Sequence, residues 1–206
     1  MKIDLHVHCS ERSGCGRSAE EEQIQTAIGL GLDAIAFTDH FKFIPFERQA
    51  ELNAKYAPFR IYRGVEVTAN EEDFIILGVG DAELEERIWA YTELNAFVRK
   101  RKGYIILAHP FRYRDELTPE VFELTPDAME VRSVNTPPAA EPRIREVAVR
   151  AKIKMMWNSD AHSTAFLGAY YNVIDSARLP ATDKELPAFL RASTITCGGA
   201  GLPTAD

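Results

Sequence analysis

The chain has 206 residues and a formal charge of −7, a length that α/β barrels reach undivided and that suffices to bury a continuous core. Its net negative charge argues against a broad nucleic-acid-binding face, and it has no apolar stretch of about eighteen residues to span a membrane. The three cysteines, Cys9, Cys15 and Cys197, are too few for a disulfide framework and favour a reducing cytoplasm, and no secretory signal is expected.

Residues 2–8 predict a short buried strand on which Asp4, His6 and His8 share one face. A Gly- and Ser-rich turn runs from Cys9 to Arg17. Ser18 before Ala19-Glu20-Glu21 then reads as a capping box that opens a helix ending near Gly29 or Gly31. Residues 33–38 predict the next strand, running into Asp39-His40. A helix over 46–56 and a strand over 59–67 follow, the latter reaching Glu66. After a further strand over 73–79, residues 83–102 carry the longest helical pattern, with Leu84, Ile88, Tyr91, Leu94, Asn95 and Val98 near one stripe and Gly103 as its stop.

The strand at 104–108 leads into His109-Pro110, and 127–132 is a short strand. Pro137-Pro138 precedes a helix at 141–152. Strand 153–158 runs on to Asp160 and His162. Strand 170–175, a helix near 183–192 and a strand near 195–196 close the chain. This alternation favours parallel pairing through right-handed crossovers within one domain, residues 1–206. A barrel accounts for it better than an open doubly wound sheet, because ligand-type residues follow five separate strands. A barrel gathers such ends on its C-terminal face, whereas an open sheet gathers them only at one switch point.

All five histidines lie at those strand ends. His6-x-His8 presents two imidazoles on one face, and Asp160-x-His162 repeats the spacing with a carboxylate, a donor set suited to Zn, Mn or Fe. In Asp39-His40 one residue reads as a ligand and the other as its hydrogen-bonding partner or a proton carrier. Glu66 ends an apolar run, where a carboxylate needs a metal or a cation such as Arg63 to offset its burial. His109 completes the set. Glu130, also at a strand end, fits an ion pair with Arg132 or a neighbour as well as a ligand role. Cys9 and Cys15 lack zinc-finger spacing and read as ordinary residues.

Asp4-Leu5-His6-Val7-His8, Thr38-Asp39-His40, Gly64-Val65-Glu66, Ala108-His109-Pro110 and Ser159-Asp160-Ala161-His162 resemble, in order, the motifs of the PHP (polymerase and histidinol phosphatase) superfamily of metal-dependent phosphoesterases. That resemblance implies a distorted seven-stranded (β/α) barrel with up to three divalent metal ions. It implies that His6, His8, Glu66 and Asp160 hold one ion, His40 and His162 a second, and His109 with Glu66 a third. Two departures leave the second and third sites partial. The family's Ser-Asp-Gly reads Arg12-Ser13-Gly14, and a further ligand position holds Ile75. Glu11, Cys9 or the Glu71-Glu72-Asp73 cluster are candidates to compensate.

The implied reaction is hydrolysis of a phosphate ester, such as a small phosphomonoester, a nucleotide or a short oligonucleotide, by metal-activated water. Asp39 is the candidate for moving a proton, and Arg112, with Arg114 beside it, for binding phosphate through guanidinium. Arg17 and Lys42 are weaker candidates. A small phosphate-bearing substrate is expected, with no membrane, long nucleic acid or protein partner. Two other readings are a metal-dependent amidohydrolase-type enzyme and a non-catalytic metal-binding module.

Overall fold

The strand that leads into the first two histidines, β1 (Lys2–Val7), is buried beyond its first residue and lies between two neighbours in a nine-stranded sheet. It is followed by α1 (Glu20–Gly29), β2 (Ala34–Phe37), α2 (Phe46–Lys55) and β3 (Arg60–Ala69). These three strands pair in parallel, β1 on β2 and β2 on β3. Their uniformly apolar stretches, such as Ala34-Ile35-Ala36-Phe37, suit a sheet covered on both faces. The computed structural model describes residues 1–199. Its remaining elements are β4 (Glu72–Leu77), α3 (Tyr91–Lys100), β5 (Tyr104–Leu107), α4 (Glu120–Glu123), β6 (Ala128–Arg132), α5 (Glu141–Ala151), β7 (Lys154–Trp157), β8 (Tyr171–Ile174), α6 (Leu186–Ala192) and β9 (Ile195–Gly198). Among the described residues no helix is long and apolar enough to cross a membrane.

Across the sheet the order is β7-β6-β5-β4-β3-β2-β1-β8-β9. The expectation of parallel pairing holds for β1–β2–β3 and β5–β6–β7 but fails at β4, which is antiparallel to both neighbours. Ala69 pairs with Glu72, so only Asn70 and Glu71 turn the chain, with φ of 49° and 64°. Two consecutive left-handed residues make the tight hairpin turn whose twist matches antiparallel strands. The last strands, β8 and β9, are antiparallel as well.

The sheet curls into a nearly closed barrel, and polar side chains complete the closure. Asn158 Oδ1 accepts from the Leu5 N–H (3.0 Å), and Asn172 Oδ1 accepts from the Trp157 N–H (3.0 Å). Just beyond β7, Ala161 bridges Val7 in parallel, with His8 N–H donating to its carbonyl at 2.9 Å. β1 and β7 therefore meet at the end where the histidines emerge.

The longest predicted helix is divided. Residues Ala82–Glu85 form a 3-10 turn, and α3 begins only at Tyr91. Between them Trp89 is buried and its N–H donates to the Thr68 carbonyl at 3.3 Å, while Ile88 is 75% exposed. Burial of an indole and backbone pairing at the end of β3 outweigh the weak preference of this stretch for helix. Asn70 Oδ1 accepts the Tyr91 N–H at 3.1 Å and so satisfies the start of α3 from the hairpin turn. The capping box also moves by one residue. Ala19 holds the cap position, Glu22 accepts its N–H at 2.9 Å, and the Ser18 hydroxyl instead accepts from Thr164 N–H.

Val65 and Val67 of β3 pack outward with Tyr91, Leu94 and Val98 of α3. A separate cluster, including Tyr62, Ile75, Tyr104, Ile106 and Met156, packs with Leu186 and Leu190 of α6. Hydrocarbon thus fills the lower part of the barrel, and buried polar groups are concentrated at the other end.

Candidate metal centre

β1 with the residue after it, β3 and the loop after β7 deliver four side chains to one buried point. His6 and His8 are fully buried, and Glu66 and Asp160 are 1% exposed. His6 Nε2 lies 3.3 Å from Glu66 Oε2 and 3.2 Å from Asp160 Oδ1, and His8 Nε2 lies at the same two distances from the same two atoms. His109 and Asp160 adopt left-handed backbone, with φ of 25° and 54°. Such conformations cost about 1–3 kcal/mol each in non-glycine residues and cluster at functional sites.

These four atoms, His6 Nε2, His8 Nε2, Glu66 Oε2 and Asp160 Oδ1, are all buried and none has a hydrogen-bond partner. They are close without being aligned to donate to one another, so they converge on a shared point. Ligands at about 2.0–2.1 Å from a tetrahedral ion stand about 3.3 Å apart, which is the separation found here. Two imidazoles and two carboxylates also form a donor set that Zn, Mn and Fe accept. A buried group of this kind with no ion would leave several polar atoms desolvated and unmatched. The residues therefore fit a divalent metal.

The surrounding groups fix which nitrogen faces that point. His6 Nδ1 donates to Glu130 Oε1 at 3.1 Å, leaving Nε2 as the ligating atom. Glu130 is fully buried, and it also accepts from the His109 N–H (3.0 Å) and the Asn158 side chain (2.9 Å). Of the roles open to it from the sequence, the ion pair with Arg132 does not form, since Arg132 instead reaches Tyr170 and Glu141. His8 Nδ1 donates to Ser13 Oγ at 3.2 Å, and Ser13 donates to Asp39 Oδ1 at 2.7 Å.

Asp39 is buried away from the converging atoms. Its oxygens accept from Cys9 N–H, Ser13 Oγ, Arg12 Nε and Cys9 Sγ. The expectation that it moves a proton is replaced by a positioning role, because both oxygens are already committed. Arg63 is likewise not the partner of Glu66: it donates to the Ile44 carbonyl and stacks on Phe43.

Burial alone would lower the pKa of His6, but the charges of Asp160, Glu66 and Glu130 outweigh it and raise it well above the usual value. For His8, burial is likewise outweighed by the adjoining carboxylates of Asp160 and Glu66, and the imidazole rises to about 9. Burial would raise the carboxyls of Glu66 and Asp160, yet the neighbouring histidines hold both below their ordinary range. In the metal-free protein the point is thus a cluster of imidazolium and carboxylate. Asp4 is pushed up to about 7 by burial, despite hydrogen bonds from Ser159 and the His6 N–H.

Two further donor groups adjoin the first. Glu66, Asp73 and His109 offer atoms within 4.8 Å of one another. His109 Nε2 is 3.0 Å from Glu66 Oε1 and 3.9 Å from Asp73 Oδ2. Asp73 precedes Ile75 by two residues on β4 and so shares its face, which brings a carboxylate to the place that Ile75 leaves without one. His8, Cys15, His40 and His162 form the other group, also within 4.8 Å. His40 Nδ1 approaches Glu66 Oε2 at 3.1 Å, and His162 Nδ1 donates to the Asp160 carbonyl at 3.0 Å. Burial, with the charge of His8, lowers the pKa of His162; for His40, burial outweighs the opposing Glu66 charge.

Beside these groups opens a cleft of about 510 Å³ lined by His40, Thr68, Glu71, Asp73, Tyr113 and Arg114. Arg114 donates to the Asn70 carbonyl and pairs with exposed Glu71 at 3.2 Å. Arg112 is exposed, lies 5.0 Å from the Tyr113 ring centre, and makes no ion pair among the described residues. Of this pair Arg114, rather than Arg112, lines the cleft. Lys42 faces Glu85 at 3.8 Å, and the Arg17 N–H donates to His162 while its side chain is exposed.

All seven proposed ligands, His6, His8, His40, Glu66, His109, Asp160 and His162, meet at one end of the barrel. Sequence reasoning passed over Cys15, the support given by Glu130 and Ser13, and Asp73 as an individual. A glutamate inside the buried strand Ala128-Met129-Glu130-Val131 was a legible signal. The placement of Asp73 was not, because it depends on the β3–β4 register.

A barrel whose ligand-bearing strand ends enclose a buried histidine–carboxylate cluster defines a metallohydrolase-like architecture. The chain belongs to the PHP domain family, which it matches over residues 4–123. No curated protein matches the sequence. Among solved structures, PsfC from Pseudomonas syringae is similar at a TM-score of 0.68 and 16% identity, over 95% of this chain and 90% of that one. A Bifidobacterium adolescentis protein, described provisionally as a metal-dependent phosphoesterase, is similar at a TM-score of 0.66 and 15% identity, over 79% of this chain and 88% of its own. An amidohydrolase from Chromobacterium violaceum, with bound sulfate and no metal, is similar at 0.59 and 15%, with the same coverages of 79% and 88%. At these identities the likeness is one of fold.

Proposed function

We propose that the chain is a metal-dependent hydrolase that cleaves phosphate esters of small molecules, a nucleotide or short oligonucleotide included. The observation that carries the reading is the set of four buried, unpartnered donor atoms on His6, His8, Glu66 and Asp160, next to an open cleft that contains an arginine. When bound there, a divalent ion such as Zn, Mn or Fe supplies Lewis acidity toward a phosphoryl oxygen and acidifies water to a pKa of about 7.

The protein's own groups do the rest. Glu130 and the Ser13–Asp39 pair hold His6 and His8 in the ligating orientation. Arg114 on the cleft wall, with Arg112 exposed on the same loop, offers guanidinium to phosphate oxygens. The acidic rim made by Glu71 and Asp73 and the chain's charge of −7 disfavour a long polyanion and favour a small one.

The test is a substrate panel of phosphomonoesters, nucleotides, short oligonucleotides and cyclic and linear amides, assayed with Mn, Zn or Fe. Turnover of a phosphate ester that inorganic phosphate inhibits and His6→Ala abolishes supports the reading. Turnover confined to the amides would show amidohydrolase chemistry in its place. A tightly held metal with no turnover across the panel would show a binding module.

A further inference from the structure

The exposed loop between β1 and α1 brings Cys15 to the rim of the centre, and the surrounding contacts hold it there. Ser13 N–H and Gly16 N–H donate to the Cys9 and Ser13 carbonyls, at 3.0 and 2.9 Å, coiling the loop on itself. Arg17 N–H donates to the His162 carbonyl at 2.7 Å, and Thr164 N–H to Ser18 Oγ at 3.1 Å, which tie the loop to the Asp160–His162 segment. Gly16 lies so close to Cys9 that an added Cβ would sit 2.3 Å from its carbonyl oxygen. The tight packing sets where the preceding thiol points.

The thiol points at imidazoles. Donor atoms of Cys15, His8, His40 and His162 all lie within 4.8 Å of one another. The His8 ring stacks on both His40 and His162, with centroids 4.7 and 4.2 Å apart. His8, the fully buried member of the cluster, has Nδ1 on Ser13 and its unpartnered Nε2 beside Glu66 and Asp160, so the cluster adjoins the first point directly. Because His162 Nδ1 donates to the Asp160 carbonyl, its Nε2 is free to bind an ion. Ser13 is already engaged with His8, His40 N–H and Asp39. The other two cysteines do not compete: Cys9 is fully buried and its sulfur donates to Asp39, and Cys197 lies on β9.

We propose that Cys15 is a metal ligand, its thiolate completing a second metal site with His40 and His162 beside the His6–His8–Glu66–Asp160 point. This rests on the reading of the cluster as a metal centre, and not on the identity of the substrate. Imidazole nitrogens at about 2.0–2.1 Å and thiolate sulfur at about 2.3 Å are the ligands zinc takes. Thiolate also discriminates among metals. It favours Zn or Co at this position, whereas the carboxylate-rich first point accepts Mn and Fe as well. Binding converts the neutral thiol to thiolate, and its proton leaves to solvent.

The experiment loads the full chain, stripped with a chelator, with Co(II) and compares wild type, Cys15→Ser and Cys197→Ser. The proposal expects a near-ultraviolet thiolate-to-cobalt charge-transfer band in wild type and Cys197→Ser that is lost in Cys15→Ser, together with one equivalent of bound metal. Zn should also protect Cys15, but not Cys197, from alkylation by iodoacetamide. If Co(II) binds with visible ligand-field bands but the near-ultraviolet band is absent from wild type or survives in Cys15→Ser, Cys15 is not a ligand and the proposal is overturned while the metal centre stands. If no Co(II) binds at all, the metal centre itself fails. Cys15 is exposed, and circular dichroism verifies that Cys15→Ser is folded.

Discussion

Glu130 makes no contact with the converging donor atoms that would face a metal, yet its removal should weaken metal binding more than any surface change. Its two oxygens accept from His6 Nδ1 (3.1 Å), His109 N–H (3.0 Å) and Asn158 Nδ2 (2.9 Å), all buried. Glu130→Ala would leave three buried donors unmatched, at about 1–3 kcal/mol each. Rearrangement recovers part of that, so a net loss of about 3–5 kcal/mol is expected in the metal-free protein. For a chain of this size each kcal/mol moves Tm by about 2–4 °C, which places the melting point about 6–20 °C lower. Loss of the hydrogen bond that orients a ligating histidine costs about 10–100-fold in metal affinity. Glu130→Gln keeps the volume and one acceptor oxygen, and should lie between the two. Calorimetry of Zn binding and thermal unfolding with and without chelator measure both quantities. Wild-type affinity in Glu130→Ala would refute the idea that this carboxylate orients His6.

The remaining predictions concern charge, metal count and packing. His8 has a pKa of about 9 in the folded metal-free protein against about 6.5 unfolded. Its contribution, on the order of 3 kcal/mol, is fully present below pH 6.5 and lost as pH rises through 9. Metal must displace the same proton, so Zn affinity should rise over that window while chelator-treated protein loses stability; parallel trends in the two titrations would contradict the assignment. Asp73→Asn should lower the count of tightly bound metal at the Glu66–His109 side, as read by elemental analysis. Ile75→Ala should leave that count unchanged and cost only the stability of a core cavity, about 2–5 kcal/mol; an unchanged count in Asp73→Asn would remove Asp73 from the ligand set. Ile88→Lys should shift stability by no more than about 0.5 kcal/mol, whereas Leu84→Ala should cost about 2–5 kcal/mol. Equal costs in urea unfolding would mean that both residues face the core.

Most of the proposed ligands were legible because they lie in or just after an apolar run, with a group that cannot be buried without a partner. His6, His8, Glu66, His109 and Asp160 are all at most 2% exposed, and a pattern of apolar run followed by ligand reports that position directly. What the pattern could not report was pairing. Asp73 reaches His109 only because the Asn70–Glu71 turn makes β4 run antiparallel beside β3. Cys15 approaches His40 and His162 only because the loop after β1 is tied to the His162 segment, about 145 residues later in the chain. The division of the 83–102 helix has the same origin, since Trp89 answers to Thr68 and not to its helical neighbours.

The sequence by itself determined the alternation of strand and helix, the barrel-like class and the seven residues with the chemistry to hold metal. Those properties are local: hydrophobic period, chain punctuation and the cost of burying an unpaired polar group. Tertiary structure decided which supporting group each ligand leans on, where β4 reverses, and that Asp39 and Glu130 both act by positioning ligating histidines. Strand pairing and hydrogen bonds to residues elsewhere in the chain set those features, and side-chain chemistry alone does not encode their partners.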